Sequence, residues 1–174
     1  QVAAATARIR RDVGRMNRLI GDLVDVTSID AGKLAMVPTE ADAAALLSEA
    51  TETFQPAAAA KGVVLSAKVP ATPLPAMFDP DRMLQVFANL LSNAIKFTPR
   101  DGRIEVTVEK VRGGLRFCVR DSGVGVAAPM LKPIFERFWQ VGKNDHRGMG
   151  LGLYISKCIV DAHRGLIWAK SKPG

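Results

Sequence analysis

Residues 89–97 read Asn89-Leu90-Leu91-Ser92-Asn93-Ala94-Ile95-Lys96-Phe97, an apolar helical stretch with polar residues at fixed intervals. Asn89, Asn93 and Lys96 stand at i, i+4 and i+7 and so share one helix face, while Val86, Leu90 and Leu91 make an apolar side. Asparagine is a poor helix former because its amide competes for backbone groups. Two of them one turn apart mean either amides that bond solvent or the helix itself, beside a surface lysine, or a polar face built for a ligand. In the second case an Asn carbonyl oxygen suits Mg²⁺, a hard ion that shares its shell with water and phosphates. Lys96 then offers a point charge to a phosphate. The helix that carries these residues is expected over 80–96, because Pro80 suits a first turn and Pro99 forbids continuation.

Downstream, two alternating runs at 104–111 and 115–120 are joined by Arg112-Gly113-Gly114, the pattern of an antiparallel hairpin. Directly after the second run comes Asp121-Ser122-Gly123-Val124-Gly125-Val126. Its glycines either make a plain turn or let backbone pass close to a ligand, and Asp121 is an acceptor able to read an exocyclic amine. A short helical piece is expected over 129–135. Then Phe135-Glu136-Arg137-Phe138-Trp139 opens a polar, glycine-containing segment, so Phe135 and Phe138 can anchor one end of a loop as core residues. Gly148-Met149-Gly150-Leu151-Gly152-Leu153 introduces a helix over 151–162, where unsatisfied N–H groups and the helix dipole favour a phosphate. This is neither the GxxxxGK[ST] loop nor a dinucleotide fingerprint, since no strand leads straight into it. A last strand is expected over 166–170.

Upstream, Ile9, Val13, Met16, Ile20, Leu23 and Thr27 follow the four-three spacing of a heptad seam. They predict one helix of about 28 residues, on the order of 42 Å long, that Gly32 would end. Periodicity serves equally a helix packed on its own domain and one that meets a partner helix. A second helix is expected from near Asp42 to about Lys61, broken or bent at Pro56, then a strand over 63–69 and a proline-rich loop over 70–75. Helices and strands alternate without a regular strand-helix-strand cadence. The fold class expected is α+β, a two-layer α/β sandwich preceded by a long helix, with a mixed sheet on one side and helices on the other.

The 174 residues carry a formal charge of +7, yet only 6% are aromatic and no basic stripe interleaves with rings, so no nucleic-acid partner is expected. Cys118 and Cys158 lack metal-ligand spacing, which argues against a metal or disulfide framework and suits a reducing cytoplasm. No apolar run nears the roughly 20 residues of a membrane-spanning helix, and no leader opens the chain, so no membrane contact by this fragment is expected.

Taken in order, residues 89–93, 121–125, 135–138 and 148–152 resemble the N, first glycine, F and second glycine boxes of sensor histidine kinases, which share a superfamily with gyrase-type and chaperone-type ATPases. The resemblance implies the Bergerat (GHKL) ATP-binding fold over residues 34–174. Arg15-Met16-Asn17-Arg18-Leu19-Ile20 and Asp30-Ala31-Gly32-Lys33-Leu34 also look like the second helix of the family's dimerisation and phosphotransfer hairpin, placed here at residues 1–33. That favours the partner-helix reading of the seam and a homodimer.

The family's roles, carried over to matching positions, make ATP and Mg²⁺ the expected cofactors. Asn93 is then the Mg²⁺ ligand, with Asn89 beside metal and phosphates and Lys96 on the phosphates, these three forming the catalytic set. Asp121 would accept from the adenine amino group, and Phe97, Gly123 and Gly125 would shape the pocket. Phe135 and Phe138 would flank a lid over 140–147, in which Lys143 and Arg147 contact phosphate, and Gly148, Gly150, Leu151 and Gly152 would form its hinge and phosphate-facing end. The parent's implied reaction is transfer of the ATP γ-phosphoryl group to a histidine, then to an aspartate in a response-regulator receiver domain.

Here the chain departs from the pattern. Its two histidines are His146, in the predicted lid, and His163, at a structural position of the family, and neither is followed by the acceptor motif. The acceptor is expected upstream of Gln1, so nucleotide binding without self-phosphorylation is expected of this chain. Arg164 replaces one of two usual glycines, and a final strand is expected to be missing after Gly174, leaving an exposed sheet edge. Two rivals remain. One is another ATPase or serine kinase of the superfamily, although Asn89 stands where hydrolytic relatives carry a glutamate base. The other is a non-catalytic dimerisation and signalling scaffold with a degenerate pocket.

Overall fold

Two aspartates start the two helices that cover the sheet. In the computed structural model, which describes residues 2–140 and 149–172, Asp42 precedes α2 (Ala43–Lys61) and Asp79 precedes α3 (Pro80–Phe97). Each has extended backbone, and its carboxylate accepts an N–H that the helix cannot satisfy internally: Ala44 N–H at 3.0 Å for Asp42, Arg82 N–H at 3.0 Å for Asp79. Each also accepts a distant N–H, from Leu74 at 2.8 Å and from Val37 at 2.7 Å. The caps therefore tie neighbouring loops to the helix starts. α2 ends at Gly62, whose φ of 73° lets the chain turn back as a residue with a Cβ rarely does. Of the break or bend expected at Pro56 the break does not occur, because the helix is held by an apolar face rather than by each backbone bond.

The order of elements is α1 (Val2–Asp30), β1 (Thr39–Asp42), α2, β2 (Val64–Lys68), β3 (Pro75–Phe78), α3, β4 (Arg103–Val111), β5 (Gly114–Asp121) and α4 (Gly152–Ala162), with 3-10 turns at Ala128–Met130 and Pro133–Phe135. A mixed sheet has the order β2-β4-β5, in which β2 runs parallel to β4 (Leu65 opposite Ile104) and β5 antiparallel to it (Ile104 opposite Asp121, Val111 opposite Gly114). The hairpin expected at Arg112-Gly113 is present. On β4 the buried Ile104, Val106 and Val108 alternate with Glu105, Thr107 and Glu109, so one face meets the helices. Leu47 of α2 and Phe87 and Leu91 of α3 fill that interface, and Phe87 meets Phe117 of β5 edge to face at 5.3 Å. Burying each such side chain contributes about 1.5–3 kcal/mol, which is what holds the two layers together.

Three expectations are corrected. β1 and β3 form a separate antiparallel pair, Thr39 opposite Phe78 through Asp42 opposite Pro75, where no strand was expected. Residues 166–170 carry no strand pairing, although their exposed and half-buried residues alternate and Leu166 is 83% exposed. Alternation is a local property, whereas a strand needs a partner backbone in register. The contact made instead is by Ser171 Oγ, which accepts Val126 N–H at 2.8 Å. The piece expected as one short helix over 129–135 is two single turns.

The end of α1 docks on the helical layer. Val26 is buried in a second cluster with Val86, Leu151, Ile155 and Ile159. Asp25 accepts from Arg82 Nη1 at 2.8 Å and from Gln85 Nε2 at 2.5 Å. Gly32, at φ 65°, follows the helix as expected. Among the described residues no helix is long and apolar enough to cross a membrane.

Candidate functional site

The second half of α3, the loop after β5 and the start of α4 converge, and short side chains decide how closely. Asn89 Nδ2 donates to Gly152 O at 3.0 Å and to Ser156 Oγ at 3.2 Å, while Ser156 Oγ donates to Gly152 O at 2.8 Å. A Cβ on Gly152 would come within 3.1 Å of Asn89 Oδ1, so glycine permits the close approach of the two helices. Ser156 is fully buried and was not anticipated, since a lone serine inside a helix gives no sequence signal. One turn further along α3, Asn93 is half-buried on the same face. Lys96 Nζ lies 4.8 Å from the centre of the Phe97 ring, and Phe97 is 40% exposed.

Asp121 ends β5 and is exposed, and its Oδ1 accepts Gly123 N–H at 2.8 Å, which folds the loop back over the strand end. A Cβ on Gly123 would lie 2.5 Å from Asp121 Oδ1 and 2.8 Å from Phe97 O. The loop thus runs against the end of α3 in a space that only glycine leaves open. Gly125 takes φ 72°, the left-handed region that glycine occupies without strain. Asp121, Gly123 and Phe97 are in this way brought together.

At the other wall, Gly150 (φ 70°) packs on the chain at 138–139, since a Cβ there would meet Trp139 O at 2.5 Å and Phe138 C at 2.8 Å. The two ends of the expected lid meet at its base. Of the aromatic segment, Phe135 is half-buried and Phe138 is 63% exposed with φ 56°, so Phe138 is not the core anchor that its size suggested; the neighbouring Ile134 is buried instead. Arg137 forms an ion pair with Asp30 of α1 and lies 4.9 Å over the Tyr154 ring. The hydrogen bond to Asp30 raises the arginine pKa above its ordinary value. Leu151 is buried and stands at the N-cap of the helix that follows, where it makes no side-chain capping hydrogen bond. Lys143, Arg147 and Gly148, and with them His146, lie outside the described residues.

His163 has both ring nitrogens engaged. Nε2 accepts Asp79 N–H at 2.9 Å, so Nδ1 carries the proton and donates to Ile159 O at 2.8 Å, which pins the end of α4 to the start of α3. Among the described residues no group of three or more His, Cys, Asp or Glu side chains could hold a metal ion. A divalent ion here would draw on amide oxygens, water and ligand phosphates, a donor set that fits Mg²⁺. Asp121 thus presents an exposed carboxylate acceptor and Lys96 an ammonium group at the end of α3, and the start of α4 presents the donor end of a helix.

Residues 78–174 match the family of histidine kinase-, DNA gyrase B-, and HSP90-like ATPases. The chain is 34% identical over 170 residues to sensor protein kinase WalK of Staphylococcus saprophyticus, covering 95% of itself and 28% of that protein. It thus spans little more than a quarter of this curated relative's length. Among solved structures, it resembles full-length ShkA in complex with AMPPNP, with a TM-score of 0.81 and 31% identity over 92% of this chain and 34% of that one. It also resembles the nucleotide-free catalytic domain of histidine kinase ThkA, with a TM-score of 0.69 and 30% identity over 76% of this chain and 86% of that one.

Proposed function

This chain belongs to the histidine kinase-, DNA gyrase B-, and HSP90-like ATPase family as an ATP-binding catalytic domain of the histidine-kinase type, and on that premise we propose how its residues hold Mg·ATP and what the parent does with it. The observation that carries the reading is the Asn89 clamp on Gly152, which makes the polar face of α3 and the start of α4 two walls of one site. Asp121 accepts from the adenine amino group beside Gly123 and Gly125, with Phe97 at the rim. Asn93 offers its amide oxygen to Mg²⁺, and Asn89, already tied to α4, sets the distance between that oxygen and the helix start. Lys96 and the first N–H groups of α4 face the phosphates.

When bound, Mg²⁺ supplies charge neutralisation on the β- and γ-phosphate oxygens. The residues contribute positioning and fixed dipoles, which dominate catalysis of phosphoryl transfer. The bond from the γ-phosphorus to the bridging oxygen breaks, a phosphorus–nitrogen bond forms to a histidine of the parent, and ADP leaves with the bond's electrons. His163 is not that histidine, because both its nitrogens serve the fold. We assign residues 1–33 to the second helix of a dimerisation hairpin and 34–174 to the catalytic domain, and a response-regulator receiver domain to the next step. An ATP-dependent reaction places the work in the cytoplasm, where ATP is.

Calorimetric titration with AMPPNP, with and without Mg²⁺, tests the reading. Binding is expected to weaken about tenfold in Asp121→Asn, the worth of one hydrogen bond to a charged group, and the Mg²⁺ dependence is expected to shrink in Asn93→Ala. A folded wild-type chain that bound no nucleotide would put the non-catalytic scaffold in its place.

A further inference from the structure

We infer that Lys61, at the far end of α2, is a positioning residue for the nucleotide pocket: its ammonium group holds the last turn of α3 against the loop of Gly123. The inference rests on the nucleotide-binding reading above and adds a residue outside the stretch that matches the family, 78–174.

A helix leaves its last four carbonyls without internal partners, and an ordinary end supplies them through a left-handed glycine. α3 has no such end. Thr98 is extended, with φ −79° and ψ 127°, and Pro99 follows. Thr98 N–H serves Ala94 O at 3.0 Å, and the next two carbonyls accept from a different helix: Lys61 Nζ donates to Ile95 O at 2.5 Å and to Lys96 O at 2.6 Å. A cation at this point also complements the negative end of the α3 dipole. The base of Lys61 is itself anchored, because Asp101 N–H donates to Gly62 O at 2.7 Å and Val64 N–H to Gly102 O at 2.9 Å.

The location gives this cap its consequence. The turn it holds carries Asn93, Lys96 and Phe97, and Phe97 O is the atom that a Cβ on Gly123 would strike at 2.8 Å. A small shift of that turn therefore collides with the first glycine loop or opens a gap beside it, and Asp121 moves with the loop through its bond to Gly123 N–H. Two walls of the pocket are registered by one side chain that touches neither the purine nor the phosphate positions.

The test uses the intact chain with Lys61→Met, which keeps the stem and removes the donors, Lys61→Arg, which restores a cationic donor, and Ala50→Gly, which weakens the same helix at a buried site about three turns before Lys61. Hydrogen exchange is followed in the ligand-free chain, and AMPPNP affinity with Mg²⁺ is measured by calorimetry. Lys61→Met is expected to speed exchange in residues 94–98 and 123–125 selectively and to weaken binding about tenfold. Lys61→Arg should recover most of both, and Ala50→Gly should lower the melting temperature without either. Exchange in Lys61→Met that stays at the wild-type rate, or rises evenly along the chain as in a merely destabilised protein, overturns the inference. So does selective exchange with unchanged affinity. If wild type itself binds no nucleotide, the functional reading falls by that result, and the exchange comparison alone decides whether Lys61 registers the two segments.

Discussion

The Asp79 carboxylate accepts N–H groups from Arg82, in the first turn of α3, and from Val37, in the chain that leads out of α1. Burial opposes its charge, but those two hydrogen bonds and the charge of Arg82 outweigh it, and its pKa lies below the ordinary aspartate value. Asp42 is lowered too, chiefly by the hydrogen bond from Leu74 and against a burial effect. A carboxylate with a depressed folded pKa binds fewer protons folded than unfolded in the window between the two values. Its contribution to stability is thus full above the unfolded pKa, near about 3.9, and is lost as pH falls through the folded one. The melting temperature is expected to drop steeply below about pH 4, and Asp79→Asn should be less stable at neutral pH yet show a shallower acid decline. Parallel curves for the two proteins would mean that Asp79 does not carry this dependence. The capping role is a local pattern, an aspartate before Pro80; the partnership with Val37 has no local sign.

At the scale of elements, the joint between α1 and the helical layer combines an apolar contact at Val26 with a polar one at Asp25. Asp25 is 8% exposed, so removal of its carboxylate strands Arg82 and Gln85 with their donors facing a low-dielectric space. Asp25→Ala is expected to cost about 2–3 kcal/mol in urea unfolding, and a double-mutant cycle with Arg82→Ala should show coupling rather than additivity. Additive losses would show that the pair does not act as a unit. The heptad pattern announced the helix, and Gly32 its end, but Asp25 looked like any other polar residue on its surface. Burial of that position depends on which face of the helix meets α3, and periodicity cannot say which neighbour a face meets.

On the scale of the molecule, α1 carries an apolar row that the chain itself leaves exposed. Ile9, Val13, Met16, Ile20 and Leu23 are each about half exposed or more. We propose that a second copy covers this seam, as heptad spacing favours. Sedimentation equilibrium is expected to show a dimer at micromolar concentration and a monomer in Met16→Glu/Leu23→Glu, with circular dichroism unchanged over the catalytic domain. A wild-type chain that stays monomeric while folded would remove the seam as a self-association surface.

The sequence by itself determined what short-range physics controls. The start of α2 near Asp42 and the extent of α3 between Pro80 and Pro99 follow from local signals, as does the β4-β5 hairpin from alternation around a glycine turn, and the order of the four segments at 89–93, 121–125, 135–138 and 148–152 carries the resemblance to the kinase family. Tertiary structure decided the rest. β1 and β3 pair although neither alternates visibly, and residues 166–170 alternate but find no partner strand. Asn89 clamps Gly152, Lys61 caps a helix 34 residues away, and Arg137 reaches Asp30. In each of these last three, a hydrogen bond forms because packing has brought two segments that are distant in sequence together, and nothing within a few residues of either partner encodes that meeting.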